Sequence, residues 1–315
     1  MTLCVDAHVH VYEQGDWPPR WFDYAAQQWA GRGPDRLPEH VRPKMEDGLA
    51  DPGAVRLLSQ MTTAGVDVSV LLAVDWELGM DSRPGNDIRE VHERYGRLMR
   101  DSGGRIVAFA GVDPRRPDAL GIFEEARDRH GLRGLKLYPP AGFYAYDEAA
   151  QPLYQACADS GLPVAIHCGE TLGMLRPRFS NPLFVQDVQR LYPGLTLWIA
   201  HAGAPWWWDE AVAVAEAGVD TYLELSSWQA VAYEDEELFV RRLGRALGSV
   251  GVDKLLFGSD HISGHRVRDD AGYRRWIDWF RDLPSLGRKY GVHVTDDDVE
   301  AMLGGNAARC LGLEA

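Results

Sequence analysis

The chain has 315 residues, of which 45% are hydrophobic and 25% charged, and its formal net charge is −14. This is the balance of a globular protein long enough to bury a large core. It argues against nucleic-acid binding, which needs a basic footprint, and no apolar run approaches the roughly 20 residues of a membrane span.

The first residues, Met-Thr-Leu-Cys-Val-Asp, show no basic stretch followed by an apolar one, so no signal peptide is expected. Cys4, Cys157, Cys168 and Cys310 are scattered and form no CxxC pair. That usage fits a reducing, cytoplasmic compartment.

Residues 3–11 form an apolar run with Asp6, His8 and His10 at alternate positions. In a regular strand these three face one side and Val5, Ala7, Val9 and Val11 the other. Two imidazoles side by side on rigid backbone suit a divalent metal. Hydrogen-bonded structural histidines are the competing reading.

Residues 12–52 follow with Trp17, Pro18, Pro19, Trp21, Phe22, Tyr24, Trp29, Pro34, Pro38 and Pro43. This is too long and aromatic for a plain connection. It is expected to form a lid or pocket wall after the first strand, a packed flap or subunit contact being the alternative.

Further apolar runs at 66–74, 105–112, 134–138, 163–168, 195–201, 220–225 and 254–259 complete eight expected strands. Helical patterning lies between them, for example at 119–130, 149–160, 182–191, 210–217 and 235–247. Gly131, Gly161, Gly218 and Gly251 are read as helix stops before the next strand. Strands alternating with helices predict a parallel sheet. Eight units predict one (β/α)8 TIM barrel over residues 1–315, in the α/β class. An open doubly wound sheet is the alternative, weakened by the lack of GxGxxG after the first strand.

His167, His201 and Asp260 each close an apolar strand, and in a barrel those ends converge on the catalytic face. Cys168, one residue past His167, should face away from it. Trp76, with Asp75 and Glu77, follows the second strand and is a candidate for the pocket. Glu224 in the seventh strand is another. Arg176 and Arg178, after His167, are candidates for holding a substrate carboxylate, against a solvated loop. Trp206, with Trp207 and Trp208, is a candidate pocket wall, against rim packing. His261 and His265 follow Asp260 and are candidates for the mouth. His40, His92, His130 and His293 fall in helical or loop contexts and read as surface residues.

Seven motifs recur in order: DAHVH at 6–10, GVDP at 111–114, GLKLYPP at 134–140, IHCG at 166–169, AHAG at 200–203, FGSD at 257–260 and GGNAARCLGL at 304–313. Over nearly its whole length the chain thereby resembles the amidohydrolase superfamily, in its amidohydrolase-2 branch. That branch includes metal-dependent hydrolases and decarboxylases. The resemblance implies that His8, His10, His167 and Asp260 hold one metal, usually Zn2+, with Mn2+ as another divalent choice. It implies that His201 acts as a supporting or catalytic imidazole. Asp260 would also move the proton of the attacking water.

Lys136 looks like the strand-four lysine of dihydroorotases and ureases, which is carboxylated and bridges two metals. In that case His8, His10 and Asp260 would hold one ion and His167 and His201 the other. The alternative is an unmodified lysine that pairs with Asp260 or binds an anionic substrate.

The expected reaction is metal-dependent hydrolysis of an amide, lactone or ester bond in a small, cyclic substrate. Non-oxidative decarboxylation of an aromatic or unsaturated acid is the first alternative, and a non-catalytic metal-binding barrel the second. The expected partner is a small molecule, with neither nucleic acid nor membrane. A homodimer is in keeping with the family.

Overall fold

Short apolar runs bounded by turns suit strands buried on both faces, and a parallel sheet covered by helices buries both. The computed structural model describes residues 3–31, 37–264 and 270–314. Among them are β1 (Val5–His10), β2 (Val68–Leu72), β3 (Ile106–Gly111), β4 (Leu135–Leu137), β5 (Val164–His167), β6 (Leu197–Ala200), β7 (Thr221–Glu224), β8 (Leu255–Leu256) and β9 (His261–Ile262). All pairings are parallel and the order is β8-β7-β6-β5-β4-β3-β2-β1-β9.

β8 falls within the expected eighth strand, 254–259, and β9 lies just beyond it as the second piece of one interrupted strand. Asp260, with a left-handed φ of 52°, separates them. β8 pairs with β7, β9 pairs with β1, and between them the Ala7 N–H donates to the Phe257 carbonyl at 3.0 Å. The ring is therefore closed, and helices on its outside make it a (β/α)8 barrel. The five helical stretches expected between strands appear as Ala119–Asp128, Gln151–Ser160, Leu183–Leu191, Trp208–Ala217 and Glu236–Ser249. Gly131, Gly161 and Gly251 take positive φ as helix stops. Gly218 instead keeps a φ of −89°, and a side chain there would collide with Gln189 and Thr221. No helix of the described residues is long and apolar enough to cross a membrane.

Val5, Ala7, Val68, Val70, Leu72, Val107, Phe109, Ala165, Trp198 and Leu256 pack together inside the ring. Val9, Leu71, Ala108, Leu137, Ile166, Ile199 and Leu223 belong to the larger core between strands and helices. Cys168 also lies in this outer core, away from His167, as the alternation requires.

β1 departs from simple alternation. Asp6 pairs with Ser69 and Val9 with Leu71, so β1 uses one residue more than β2 over the same stretch. Such a bulge reverses which face later side chains occupy. Val5 and Ala7 lie inside and Asp6 outside, whereas past the bulge Val9 and Val11 lie outside. His8 and His10 then face the interior above the apolar layer. The expectation that Asp6 shares their face is corrected. The cause is local: the Asp6 Oδ1 accepts the His8 N–H at 3.2 Å and draws it out of the ladder.

Residues 12–52 contain two helices, α1 (Pro19–Ala30) and α2 (Pro38–Leu49), each with proline in its first turn. Proline lacks the N–H that a first turn cannot use, so it starts helices readily. Trp17, Trp21, Phe22, Ala25, Ala26, Met45 and Leu49 form a cluster with Tyr12, Val74, Trp76 and Leu175 over the C-terminal ends of the strands. Pro34 lies outside the described residues.

The opposite end of the barrel is closed by the helix Asn306–Leu311, whose Ala307 and Leu311 join the inner cluster. Asn306 Nδ2 donates to the carbonyls of Val252 and Leu255 at 2.8 and 2.9 Å. A Cβ on Gly304 would stand 1.6 Å from the Leu3 carbonyl oxygen. Gly304→Ala should therefore destabilise the protein by about 3 kcal/mol, the upper range for overpacking, read from the urea midpoint. Gly248→Ala, in a helix with nothing within 4 Å of the new methyl, should be neutral or stabilising in the same experiment.

Candidate metal centre and active site

The C-terminal ends of β1, β5, β6, β7 and the split eighth strand bring His8, His10, His167, His201, Glu224 and Asp260 together. His8 Nδ1 lies 2.7 Å from Glu224 Oε2, and His10 Nδ1 lies 2.8 Å from the Leu72 carbonyl. Both partners are acceptors, so each Nδ1 carries the proton and each Nε2 presents a lone pair. These lone pairs face Asp260 Oδ1, at 3.6 Å from His8 and 3.3 Å from His10. The Nε2 of His8 is buried and has no hydrogen-bond partner. Two lone pairs facing a carboxylate repel one another unless a cation stands between them. His8, His10 and Asp260 therefore fit a divalent ion, and their candidate donor atoms all lie within 4.8 Å of one another.

Glu224 supports this set from behind. Besides the His8 ring it accepts the N–H of His201 at 3.2 Å, the N–H of Ser226 at 2.7 Å and the Ser226 hydroxyl at 2.9 Å. His8, His201 and Glu224 are also close enough to form a second donor set. There, however, the carboxylate is already occupied by these donors. A Cβ on Gly258 would meet Glu224 Oε1 at 1.9 Å, which explains the glycine before Ser259-Asp260.

His167 stands one ring away from the three-residue set. Its Nε2 bonds the Glu170 carbonyl at 3.0 Å, so its Nδ1 receives the His201 Nε2–H, also at 3.0 Å. Ser226 and Ser227 hydroxyls lie 2.8 and 3.2 Å from His201 Nδ1. His201, Ser227 and Asp260 all have positive φ, at 69°, 65° and 52°. Left-handed backbone at non-glycine residues gathers at functional sites held by surrounding structure.

Burial, and then the charge of Lys136, holds His8 well below the ordinary imidazole range. Burial does the same to His167 and His201, each helped by a neighbouring histidine. Neutral imidazoles are the form a metal requires. Lys136 on β4 is almost wholly buried, its Nζ has no hydrogen-bond partner, and burial lowers its pKa.

These groups form the floor of a cavity of about 430 Å3. Its walls include Tyr12, Trp17, Trp21, Val74, Trp76, Tyr138, Leu172 and Ile262. Trp76 thus lines the cavity. Asp75 and Glu77 instead pair with Arg116 behind it, at 2.6 and 2.7 Å.

Four expected substrate contacts are not on the walls. Arg176, just before the turn Pro177–Ser180, is exposed and donates to the Ala141 carbonyl at 3.2 Å, while Arg178, within that turn, is exposed over the Phe179 ring. Trp206 is 55% exposed because burial of Trp208 in the core against Trp228 turns it away. His261 is fully buried, with Nε2 at 2.8 Å from Gln60 Oε1 and its ring stacked on Tyr273. Strand alternation after inward-facing Asp260 requires that orientation.

His265 lies outside the described residues. His92, read as a surface residue, is buried and accepts the Gly111 N–H at 3.0 Å. Residues the sequence reading missed include Tyr138, Ser226 and Ser227. Tyr138 had a usable signal, since it stands two residues beyond Lys136. The serines had none, because their role depends on where His201 falls.

The profile of the family described as Amidohydrolase, of the amidohydrolase-2 type, matches residues 5–313, and the chain belongs to that family. No curated protein matches the chain. A solved TIM-barrel protein from Bordetella bronchiseptica is similar at 20% identity and TM-score 0.68, with 98% of each chain covered. A dihydroxybenzoic acid decarboxylase from Polaromonas, solved with manganese and 2-nitroresorcinol, is similar at 15% identity and TM-score 0.64, covering 100% of this chain and 98% of its own. A putative 2-pyrone-4,6-dicarboxylic acid hydrolase from Pseudomonas putida is similar at 17% identity and TM-score 0.60, covering 100% and 99%. At these identities the likeness establishes the fold.

Glu224→Gln should weaken metal binding by about 10–100-fold, the usual cost of losing the carboxylate behind a ligating histidine. Titration of the metal-free protein against a competing chromogenic chelator measures it.

Proposed function

We propose that the protein is a metal-dependent hydrolase that opens an amide, lactone or ester bond in a small, ring-bearing substrate. The observation that carries this reading is the buried, unpartnered Lys136 ammonium on the floor shared with His8, His10 and Asp260. A cation at that point favours a reaction that builds negative charge on a carbonyl oxygen. It disfavours one that must discharge a carboxylate to neutral carbon dioxide.

His8, His10 and Asp260 would hold the ion; for His167 to be the fourth donor the family implies, its Nδ1 would exchange the His201 N–H for the ion, which frees that N–H for the substrate. Zn2+ is the first choice and Mn2+ the second. When bound, the ion would activate water and polarise the carbonyl. Asp260 takes the proton of the attacking water and returns it to the leaving group. The His201 N–H and Lys136 donate to the oxygen on which charge develops. Trp17, Trp21, Trp76 and Tyr138 offer a flat apolar wall for a ring, and helix α1 with its neighbours acts as the lid or pocket wall. The free cysteines support a cytoplasmic setting.

Non-oxidative decarboxylation of an aromatic acid is the second reading. It is favoured by the full-length likeness to a manganese-containing decarboxylase and by the aromatic wall.

Parallel assays of lactone, ester and amide cleavage and of carbon dioxide release from hydroxybenzoates separate the two. Hydrolysis without carbon dioxide release is expected; the reverse overturns the reading. Asp260→Asn should lower kcat by about 10²–10⁴-fold, the range for losing a general acid–base, in steady-state assays at saturating metal. Native mass spectrometry and metal analysis decide the state of Lys136. One ion per chain and an unmodified mass are expected for the ammonium form. Two ions and the added mass of one carbon dioxide would identify a bridging carbamate.

A further inference from the structure

Asp6 opens the most informative stretch of the chain, yet it neither lines the cavity nor joins a candidate donor set. It is fully buried. A buried carboxylate is costly unless its lone pairs are satisfied. Here they are, by four donors. Oδ1 accepts the N–H of His8 at 3.2 Å and the N–H of Ser259 at 3.0 Å. Oδ2 accepts the Ser259 hydroxyl at 2.5 Å and the Tyr273 hydroxyl at 3.0 Å.

Three of these bonds act on residues that carry or adjoin the metal-binding set. The bond to His8 N–H makes the bulge that turns His8 and His10 inward. The two bonds to Ser259 hold the residue before Asp260. On the other side of Asp260, the His261 N–H donates to the same Ser259 hydroxyl at 3.1 Å. Asp260 is thus gripped on both sides in its left-handed conformation. Ladder bonds alone cannot do this, because the eighth strand is broken there: β8 ends at Leu256 and β9 begins at His261.

We propose that Asp6 is a positioning residue that joins the first strand to the interrupted eighth and sets the spacing between His8, His10 and Asp260 for a divalent ion. This rests on the metal-centre reading above. Ser259 is its working partner. Tyr273 satisfies one oxygen from the helix Asp270–Arg281, which carries none of the candidate metal ligands, so its bond supports the carboxylate without joining the strands.

The test uses the full chain, freed of metal and titrated with Zn2+ and Mn2+ against a chromogenic chelator, with Co2+ absorption spectra as a second readout. Asp6→Asn and the milder Ser259→Ala should weaken metal binding by about 10–100-fold and shift the Co2+ bands. Ser259→Thr keeps the hydroxyl and should restore both. Tyr273→Phe should lower the Tm of the metal-free protein while leaving metal affinity and the Co2+ spectrum close to wild type. Wild-type affinity in both Asp6→Asn and Ser259→Ala overturns the proposal and leaves the hydrolase reading intact. So does a loss in Tyr273→Phe equal to that in Asp6→Asn, since the carboxylate would then act only as buried structure. A wild-type chain that takes up no metal overturns both.

Discussion

One extra residue in β1 decides which way the first two histidines point. A strand alternates its side chains with period two, so a single bulge moves everything beyond it to the other face. Val5 and Ala7 fill the barrel beside Val68, Val107 and Trp198. After the bulge, His8 and His10 take over the interior and Val9 and Val11 join the outer core. An unbulged strand with the same start would place both imidazoles among the apolar side chains of the surrounding helices. The bulge lets one strand supply the apolar floor and the polar site above it.

The site's electrostatics follow from closing the barrel around these residues. Each imidazole of β1 gives its Nδ1 proton to an acceptor fixed elsewhere, the Leu72 carbonyl or Glu224. Burial keeps His8, His167 and His201 neutral, and their hydrogen bonds choose the tautomer. The Asp260 carboxylate faces the Nε2 lone pairs of His8 and His10, an arrangement that a cation between them would relieve. Lys136 stands among them without a partner of its own. The result is a compact group of lone pairs, one carboxylate and one ammonium beneath an aromatic wall. This arrangement makes sense for a bound ion and a substrate, and it is expensive as mere packing.

Much of this was legible beforehand. Eight apolar runs separated by helical patterns specify a barrel, and His167, His201 and Asp260 at strand ends mark its catalytic face. The motifs spread from residue 6 to 313 added the family, which the match over residues 5–313 establishes. Loop residues were read less well. Trp206 follows its strand end by six residues and Trp76 by four, and Arg176 and Arg178 lie farther along their loop, yet of these only Trp76 lines the cavity. Distance along the chain from a strand end places a residue near the mouth. The course of the loop, which depends on what packs beneath it, sets the direction in which the side chain points. His92 was misread for a related reason: a helix shows its polar residues in sequence but not the Gly111 peptide across from one of them.

The amino-acid sequence by itself determined the period of the elements, their number and order, and the residue types at the ends of the strands. Those are local properties of spacing and side-chain chemistry. Tertiary structure alone decided the bulge in β1, the break at Asp260, the Glu224 support behind His8 and the outward turn of His261. Each of these depends on a hydrogen bond or close approach between segments far apart in the chain. Asp6 and Ser259, for example, are 253 residues apart. No periodicity encodes such a partner, because it exists only once the first and eighth strands lie side by side.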